Sequence, residues 1–390
     1  MPGPWVITAA GLISAAGDHP DALFSRLLEA RSVATDSSDS VPFAAAPILG
    51  FDPSSYLRRK GVKHLSRTSQ LACAAAGKLQ DDLRDRNDTE VGVVLGTGWS
   101  SLDTIVRFEH EAHTVGPRFV DPSLFAETVA NVPAGQMSIF FGWSAHNVTV
   151  AAGPTSGLEA LLCAAEFLDE GRASLIVAGG GDELNFHMLR TLQADGLASR
   201  SAASLPLAPD SSGPIGGEGA CLFALEAERS AASRGARVLG TLRGGTSRPV
   251  EAAGEPGVKQ RADLIRRLLD DVGIGADEVG LLVLSANAER AGDLREAAVL
   301  VDVFGKAMPP ALAPKAVLGE TWGAAGSLAV AAALQSIQRR VVPPAPPPTA
   351  AGGRELGLNL PTEAQPLQVD CALILDGAGS SRFAAVVLTR

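Results

Sequence analysis

Residues 148–171 read VTVAAGPTSGLEALLCAAEFLDEG. The β-branched run Val148, Thr149, Val150 predicts a strand, the small residues after it a sharp turn, and the alanine- and leucine-rich remainder a helix. A strand that turns tightly into a helix is a common mount for a nucleophile. The residue at the tip of this turn is Pro154, which has no thiol, hydroxyl or side-chain proton to give. Its ring suits the first turn of a helix, where the N–H it lacks would have no partner.

A second stretch, GETWGAAGSLAVAAALQSIQRR from Gly319, opens with the same G-x-T-x-G and runs into a small-residue helix of similar length. Two such elbows, one in each half, predict a duplicated α/β unit in which Pro154 and Glu320 hold equivalent tips. Working outward, WVITAAGLIS, EVGVVLGTG, ASLIVAGGGDEL, ACLFALEAE, VGLLVLSAN, CALILDGAG and FAAVVLTR read as strands. Continuous apolar strands bounded by glycine predict a sheet covered on both faces by helices. The proline-rich run Val341–Pro361 predicts a surface connection without helix or strand.

With 390 residues the chain can bury a large core, and its 46% apolar content fits a compact fold. A net charge of −10 and a single tyrosine argue against a nucleic-acid partner, which needs a basic footprint and stacking platforms. No apolar run is long enough to span a bilayer, and MPGPWVITAAGLISAAG lacks the basic start of a signal peptide, so a cytoplasmic location with no membrane partner is expected. Cys73, Cys163, Cys221 and Cys371 lie far apart in apolar surroundings, which predicts buried free thiols. His110 and His113 fall on one face of a predicted helix, but no further ligands accompany them, so no metal or other cofactor is expected. The runs AGGGDE and GGEG read as turns at sheet ends, without the following acidic residue of a dinucleotide site.

Several of these segments resemble the β-ketoacyl synthase family, in the family's order. They are VITAAGLISAAGDHPDALFSRLLEARS, FAETVANVPAGQMSIFFGWSAHNVTV, LPLAPDSSGPIGGEGACLFALEAERSAASRGARVLG, DLREAAVLVDVFG and PKAVLGETWGAAG. The resemblance implies an α/β, thiolase-like fold, with two duplicated βαβαβαββ halves forming a five-layer α-β-α-β-α sandwich. The halves would be residues 1–240 and 241–390 of one fused globular unit.

That family's chemistry uses a cysteine at a helix N-terminus as acyl acceptor and two neutral histidines that assist decarboxylation and hold the enolate oxygen. Carried over by motif, the cysteine position is Pro154. The first histidine position, in SANAERAGD, is Asn287. The second, in GETWGAAG, is Glu320, with the motif's lysine kept as Lys315. The family's glycine-rich gate, G-F-G-G, corresponds to Gly377, Ala378 and Gly379, with alanine in place of the gating phenylalanine. A carboxylate at Glu320 would oppose an enolate by about 4 kcal/mol at ~4 Å and an effective dielectric near ~20, or about three orders of magnitude in rate. Cys163, inside a helix, is no substitute nucleophile, and Thr155 and Ser156 read as capping or packing residues.

Loss of all three side chains on a retained scaffold resembles the chain-length factor of type II polyketide synthases. The resemblance implies an active ketosynthase partner in a heterodimer, which a dimer of dimers could extend, with acyl carrier protein reached through the complex. Such carriers are acidic, as is this chain, so their docking site is expected on the partner. Phe108, Phe125, Ala126, Val129 and Val132 are the candidate tunnel and interface residues. The proline, where those subunits carry glutamine, leaves a reducing or polyene-making system open beside the aromatic one. Two other readings stay open: a self-sufficient ketosynthase-like acyltransferase or decarboxylase, and a homodimeric acyl-binding scaffold.

Overall fold

The computed structural model describes residues 4–36, 43–57, 61–83 and 87–390. Ten strands carry the architecture: β1 (Trp5–Ser14), β2 (Val91–Gly96), β3 (Asn147–Val150), β4 (Leu175–Asp182), β5 (Gly219–Ala227), β6 (Gly240–Pro249), β7 (Leu281–Val283), β8 (Ala311–Leu312), β9 (Cys371–Asp376) and β10 (Arg382–Thr389). Their hydrogen-bonded order is β3-β2-β4-β5-β1-β6-β10-β9-β7-β8. The first five strands in sequence occur in the order third, second, fourth, fifth, first. Outward from β8, the last five repeat that order. Directions repeat as well. In both halves the second strand pairs in parallel with the third and fourth, and the fifth pairs antiparallel with the fourth and first. The duplication suggested by two short motifs is therefore written through the whole sheet. Trp5–Ile7 of β1 pair antiparallel with Gly240–Leu242 of β6, which joins the halves.

Helices form three layers around these strands. α1 (Arg67–Gly77) and α3 (Val132–Phe141) pack together on the outer face of the N-terminal half, with α2 (Leu102–Thr114) nearby. α4 (Ser156–Asp169) lies in the centre. α5 (Gly254–Val272) and α6 (Arg290–Phe304) cover the outer face of the C-terminal half, and α7 (Ala325–Arg339) returns to the centre against α4. The strand faces explain the sorting, because alternate side chains point to opposite sides. Ile176, Ala178, Phe223 and Leu225 join the central core with α4 and α7, whereas Leu175, Val177, Leu222 and Ala224 join the outer core with α1. Leu373, Leu375 and Val387 meet α5 and α6 in the third core. α7 is buried from Ala325 through Ile337, as a helix apolar all round must be.

Two expectations from the sequence fail here. Val341–Pro361 is not a surface connection, since it contains a helix at Pro347–Glu355 and buries Val342, Ala345, Ala350, Leu358 and Leu360. Two of its prolines, Pro347 and Pro348, stand at the first helical positions, where a missing N–H does no harm. The AGGGDE run is not a turn either, because Gly179–Gly181 lie inside β4. Glycine is required at Gly180: a Cβ there would sit 1.9 Å from the Gly323 carbonyl oxygen, so the second elbow presses directly on the strand.

Candidate functional site

Both elbows exist, and the structure corrects their register. Gly153 (φ 67°) begins a short 3-10 turn, Gly153–Thr155, that leads into α4. Its counterpart is Trp322 (φ 51°), which begins the turn Trp322–Ala324 before α7. The preceding residues match as well, Ala152 at φ −122°, ψ 25° and Thr321 at φ −106°, ψ 17°. Pro154 is therefore equivalent to Gly323. Glu320 stands three residues earlier, because the C-terminal half inserts the helix Lys315–Leu318 between strand and elbow. Sequence matching aligned two G-x-T-x-G strings where backbone geometry aligns P-T-S-G with G-A-A-G.

The elbows touch, which brings both motifs into one site. A Cβ on Gly157 would lie 2.6 Å from the Gly323 oxygen, and one on Gly377 would lie 2.8 Å from Thr155 Cγ2. Ser156 Oγ donates to the Thr97 and Gly153 carbonyls and accepts from the Ala152 N–H, so it fastens the turn and is not free as a nucleophile. Thr155 Oγ1 donates to Glu159, whose carboxylate also takes the Arg382 guanidinium at 2.6 and 3.1 Å. That pair ties the first elbow to the strand following the gate loop.

Asn287 and Glu320 meet: Asn287 Nδ2 donates to Glu320 Oε2 at 2.9 Å. The same oxygen takes Lys315 Nζ at 2.8 Å, and Oε1 takes the Trp322 N–H at 2.8 Å. Asn287 Oδ1 accepts the Glu289 N–H, so this amide is engaged at both ends. The expected electrostatic penalty from Glu320 changes accordingly. Its charge is opposed at contact by a buried ammonium, so what this position lacks is a donor. Lys315 also contacts Asp376 Oδ1 at 3.3 Å. Burial disfavours its charge, but the oxygens it contacts on Asp376 and Glu320 outweigh that and hold its pKa above the ordinary lysine value.

The loop carrying Asn287 is held by acids from α6. Asp293 accepts the N–H groups of Leu207, Asn287 and Ala288, and Glu296 accepts those of Ser285 and Ala286. Burial raises Asp293 to about 6 and Glu296 to about 7. Ala288 is forced to φ 75°, a left-handed conformation that costs a residue with a Cβ about 1–2 kcal/mol. The gate positions are equally fixed. Gly377 N–H donates to Asp376, Ala378 N–H to Ser285 Oγ, and the Ala378 carbonyl accepts from Arg295. Gly379 packs against Gly292, at the start of α6.

Sequence reasoning missed Asp182 and Asp376. Each is the last residue of its half's fourth strand, a repeat visible in GGGD and LILD once the duplication is known. It also missed Trp99, whose ring meets Trp322 edge-on at 5.8 Å beside the second elbow.

The predicted tunnel residues lie on α2, on the segment after it and at the start of α3. Phe125 and Val129 are 62% and 47% exposed, Ala126 is exposed, and Phe108 and Val132 are half-buried. Phe108 and Phe125 pair at 6.0 Å between ring centres. Phe119 and Ile139, which the sequence reading did not single out, extend the same exposed apolar region at 75% and 61%. Cys73, Cys221 and Cys371 are buried, whereas Cys163 is half-buried in mid-helix with its thiol pushed up by burial. His113 faces Glu109 at 3.8 Å in the open, and no metal-binding cluster occurs among the described residues. No helix among them is long and apolar enough to cross a membrane.

Comparison with known proteins agrees with this architecture. Residues 4–231 match the family described as beta-ketoacyl synthase, N-terminal domain, and residues 241–347 match beta-ketoacyl synthase, C-terminal domain. The chain is 26% identical over 345 residues to 3-oxoacyl-(acyl-carrier-protein) synthase 2 of Vibrio cholerae, covering 83% of each protein. It is 26% identical over 349 residues to the chloroplastic synthase I of Arabidopsis thaliana, covering 83% of this chain and 73% of the relative. Among solved structures, the ishigamide ketosynthase/chain length factor superposes with a TM-score of 0.88 at 24% identity over 99% of this chain and 98% of that one. A β-ketoacyl synthase from Burkholderia phymatum gives 0.88 at 20% identity over 99% of both. At these identities the two structures speak for the fold.

Proposed function

The chain belongs to the β-ketoacyl synthase family, and we propose that within it this protein is a non-catalytic, chain-length-factor-like subunit. It pairs with an active ketosynthase that elongates chains on an acyl carrier protein by decarboxylative Claisen condensation. One observation carries the reading: Pro154 offers no nucleophile, while Asn287 and Glu320 are closed on each other and on Lys315. The relatives in sequence are named as synthases, so the non-catalytic reading rests on the site and not on them.

The exposed side chains of Phe119, Phe125, Val129 and Ile139, with half-buried Phe108 paired with Phe125, support a partner surface in this part of the chain. The partner supplies cysteine and histidines, and this chain shapes the tunnel in which the product grows. The test is co-expression with an intact ketosynthase. The pair should co-purify and consume malonyl thioesters, while this chain alone should consume none. Turnover by this chain alone would overturn the reading. If Phe108 and Phe125 form the tunnel floor, replacing either by alanine lengthens the product of the pair; an unchanged product from both variants removes them from that role.

A further inference from the structure

The two strand-end aspartates differ in how fully their oxygens are used. Asp182 Oδ1 accepts Thr97 Oγ1 and the N–H groups of Trp99 and Ser100, and Oδ2 accepts those of Gly98 and Gly323. Both oxygens are occupied, and these hydrogen bonds oppose the rise in pKa that burial imposes. Asp376, 1% exposed, concentrates everything on Oδ1, which accepts Ser285 Oγ, Lys315 Nζ and the Gly377 N–H. Its Oδ2 is buried and has no hydrogen-bond partner among the described residues. The duplication explains why. Gly323 gives its N–H to Asp182, and the residue equivalent to Gly323 in the other half is Pro154, which has no N–H to give.

We propose that Asp376 is held at neutral pH as a neutral carboxylic acid with its proton on Oδ2, so that the emptied site presents one acid O–H and not a second carboxylate. Charge argues for this first. Among the described residues Lys315 is the one cation in contact with Glu320 and Asp376, and all three are nearly excluded from water. Glu296 adds a further acid within its field. Glu320, saturated by three donors, is the carboxylate that the ammonium matches. A second ionised carboxylate would leave an uncompensated buried charge.

The orphan oxygen argues the same way. An unpartnered neutral O–H is far cheaper to bury than an unpartnered charged oxygen. Gly326, in the first turn of α7, opposes this, since a Cβ there would lie 2.9 Å from Oδ2 and helix amides favour an anion. Burial is the larger influence on Asp376 and works against that anion. Burial likewise raises the Asp376 pKa, with Lys315 opposing and Glu320 adding to the rise.

Infrared difference spectroscopy of the purified chain at pH 8 tests this, because Asp293 and Glu296 are ionised there. Wild type minus Asp376→Asn should show one carboxylic-acid C=O stretch that shifts in D2O and on isotopic labelling of aspartate but not of glutamate carboxyl carbons, and Glu320→Gln, which leaves Asp376 as the ammonium's counter-ion, should lose the band. Asp376→Asn imitates the neutral acid without taking up a proton on folding, so at pH 8 it should melt above wild type. Absence of the band from wild type, its persistence in Asp376→Asn, or a band that shifts with labelled glutamate instead would overturn the proposal.

Discussion

Asp182 and Asp376 close corresponding strands, yet five hydrogen bonds converge on the first while the second leaves an oxygen bare. In the N-terminal half the loop after the second strand, Thr97–Ser100, folds onto its aspartate, which also grips the opposite elbow through Gly323. In the C-terminal half the matching loop, Ser285–Ala288, folds mainly onto Glu296 and Asp293 of α6. Asp376 is thereby left to face Lys315. One aspartate fastens the halves together; the other belongs to a charge cluster where the family places its chemistry. Duplicated backbones can thus keep one strand order while assigning the same residue different work.

The close approach of elbow and strand should show the largest effect. A Cβ on Gly180 cannot coexist with the Gly323 oxygen at 1.9 Å, and both atoms belong to buried backbone. Gly180→Ala should therefore lower unfolding free energy by about 3 kcal/mol or more, read from denaturant midpoints. Gly235 offers the contrast: its φ is +66° but nothing lies within 4 Å, so Gly235→Ala should cost about 1–2 kcal/mol from backbone strain alone. Equal losses would mean that the elbow contact is not what demands glycine.

The aspartates themselves come next. Asp182→Asn turns one of two accepting oxygens into a donor, facing N–H groups that then lose their partner, at about 1–3 kcal/mol for each group left unsatisfied. A loss of about 3 kcal/mol is expected, against a gain for Asp376→Asn, which no longer has to take up a proton on folding. Matching losses would erase the distinction between the halves.

Acidification sharpens the comparison differently. Burial raises Glu183 to about 7, and Glu296 and Asp293 to about 7 and 6, all above their unfolded values. Protonation then favours the folded state. This stability is fully present below the unfolded pKa values and is lost as pH rises through 6 to 7. Unfolding free energy, followed through thermal midpoints, should fall between pH 6 and 8 by about 3 kcal/mol in all. Glu183→Gln should remove the N-terminal share and Glu296→Gln part of the C-terminal share. A midpoint that climbs over this range would contradict both burials.

The strands and central helices were legible in the sequence because apolar runs between glycines leave few other solutions. Asn287 and Glu320 were singled out from short motifs, and the structure brings these two side chains into contact. What was not legible depends on distance. The elbow register was misaligned by three residues because the inserted helix Lys315–Leu318 happens to end near a second G-x-T-x-G. Lys315 as Glu320's counter-ion could have been read from their five-residue separation, but Asp376 lies 61 residues away from that lysine. The buried helix in Val341–Pro361 was missed because prolines were weighed as breakers and not as helix starters.

Pro154→Cys should have the smallest effect and makes the most demanding test of the emptied site. Replacing a proline already compatible with its turn frees the unfolded chain and costs about 0.4–1 kcal/mol. The new thiol would stand at a helix N-terminus, where its thiolate is favoured, so slow alkylation by a small electrophile is expected. Condensation is not. The two positions that should donate hydrogen bonds to a developing enolate remain bound to each other, with Asn287 engaged at both ends and Glu320 held by Lys315 and Trp322. Malonyl-thioester turnover by Pro154→Cys alone would show that the missing cysteine was the sole defect, and that Asn287 and Glu320 can open without a partner.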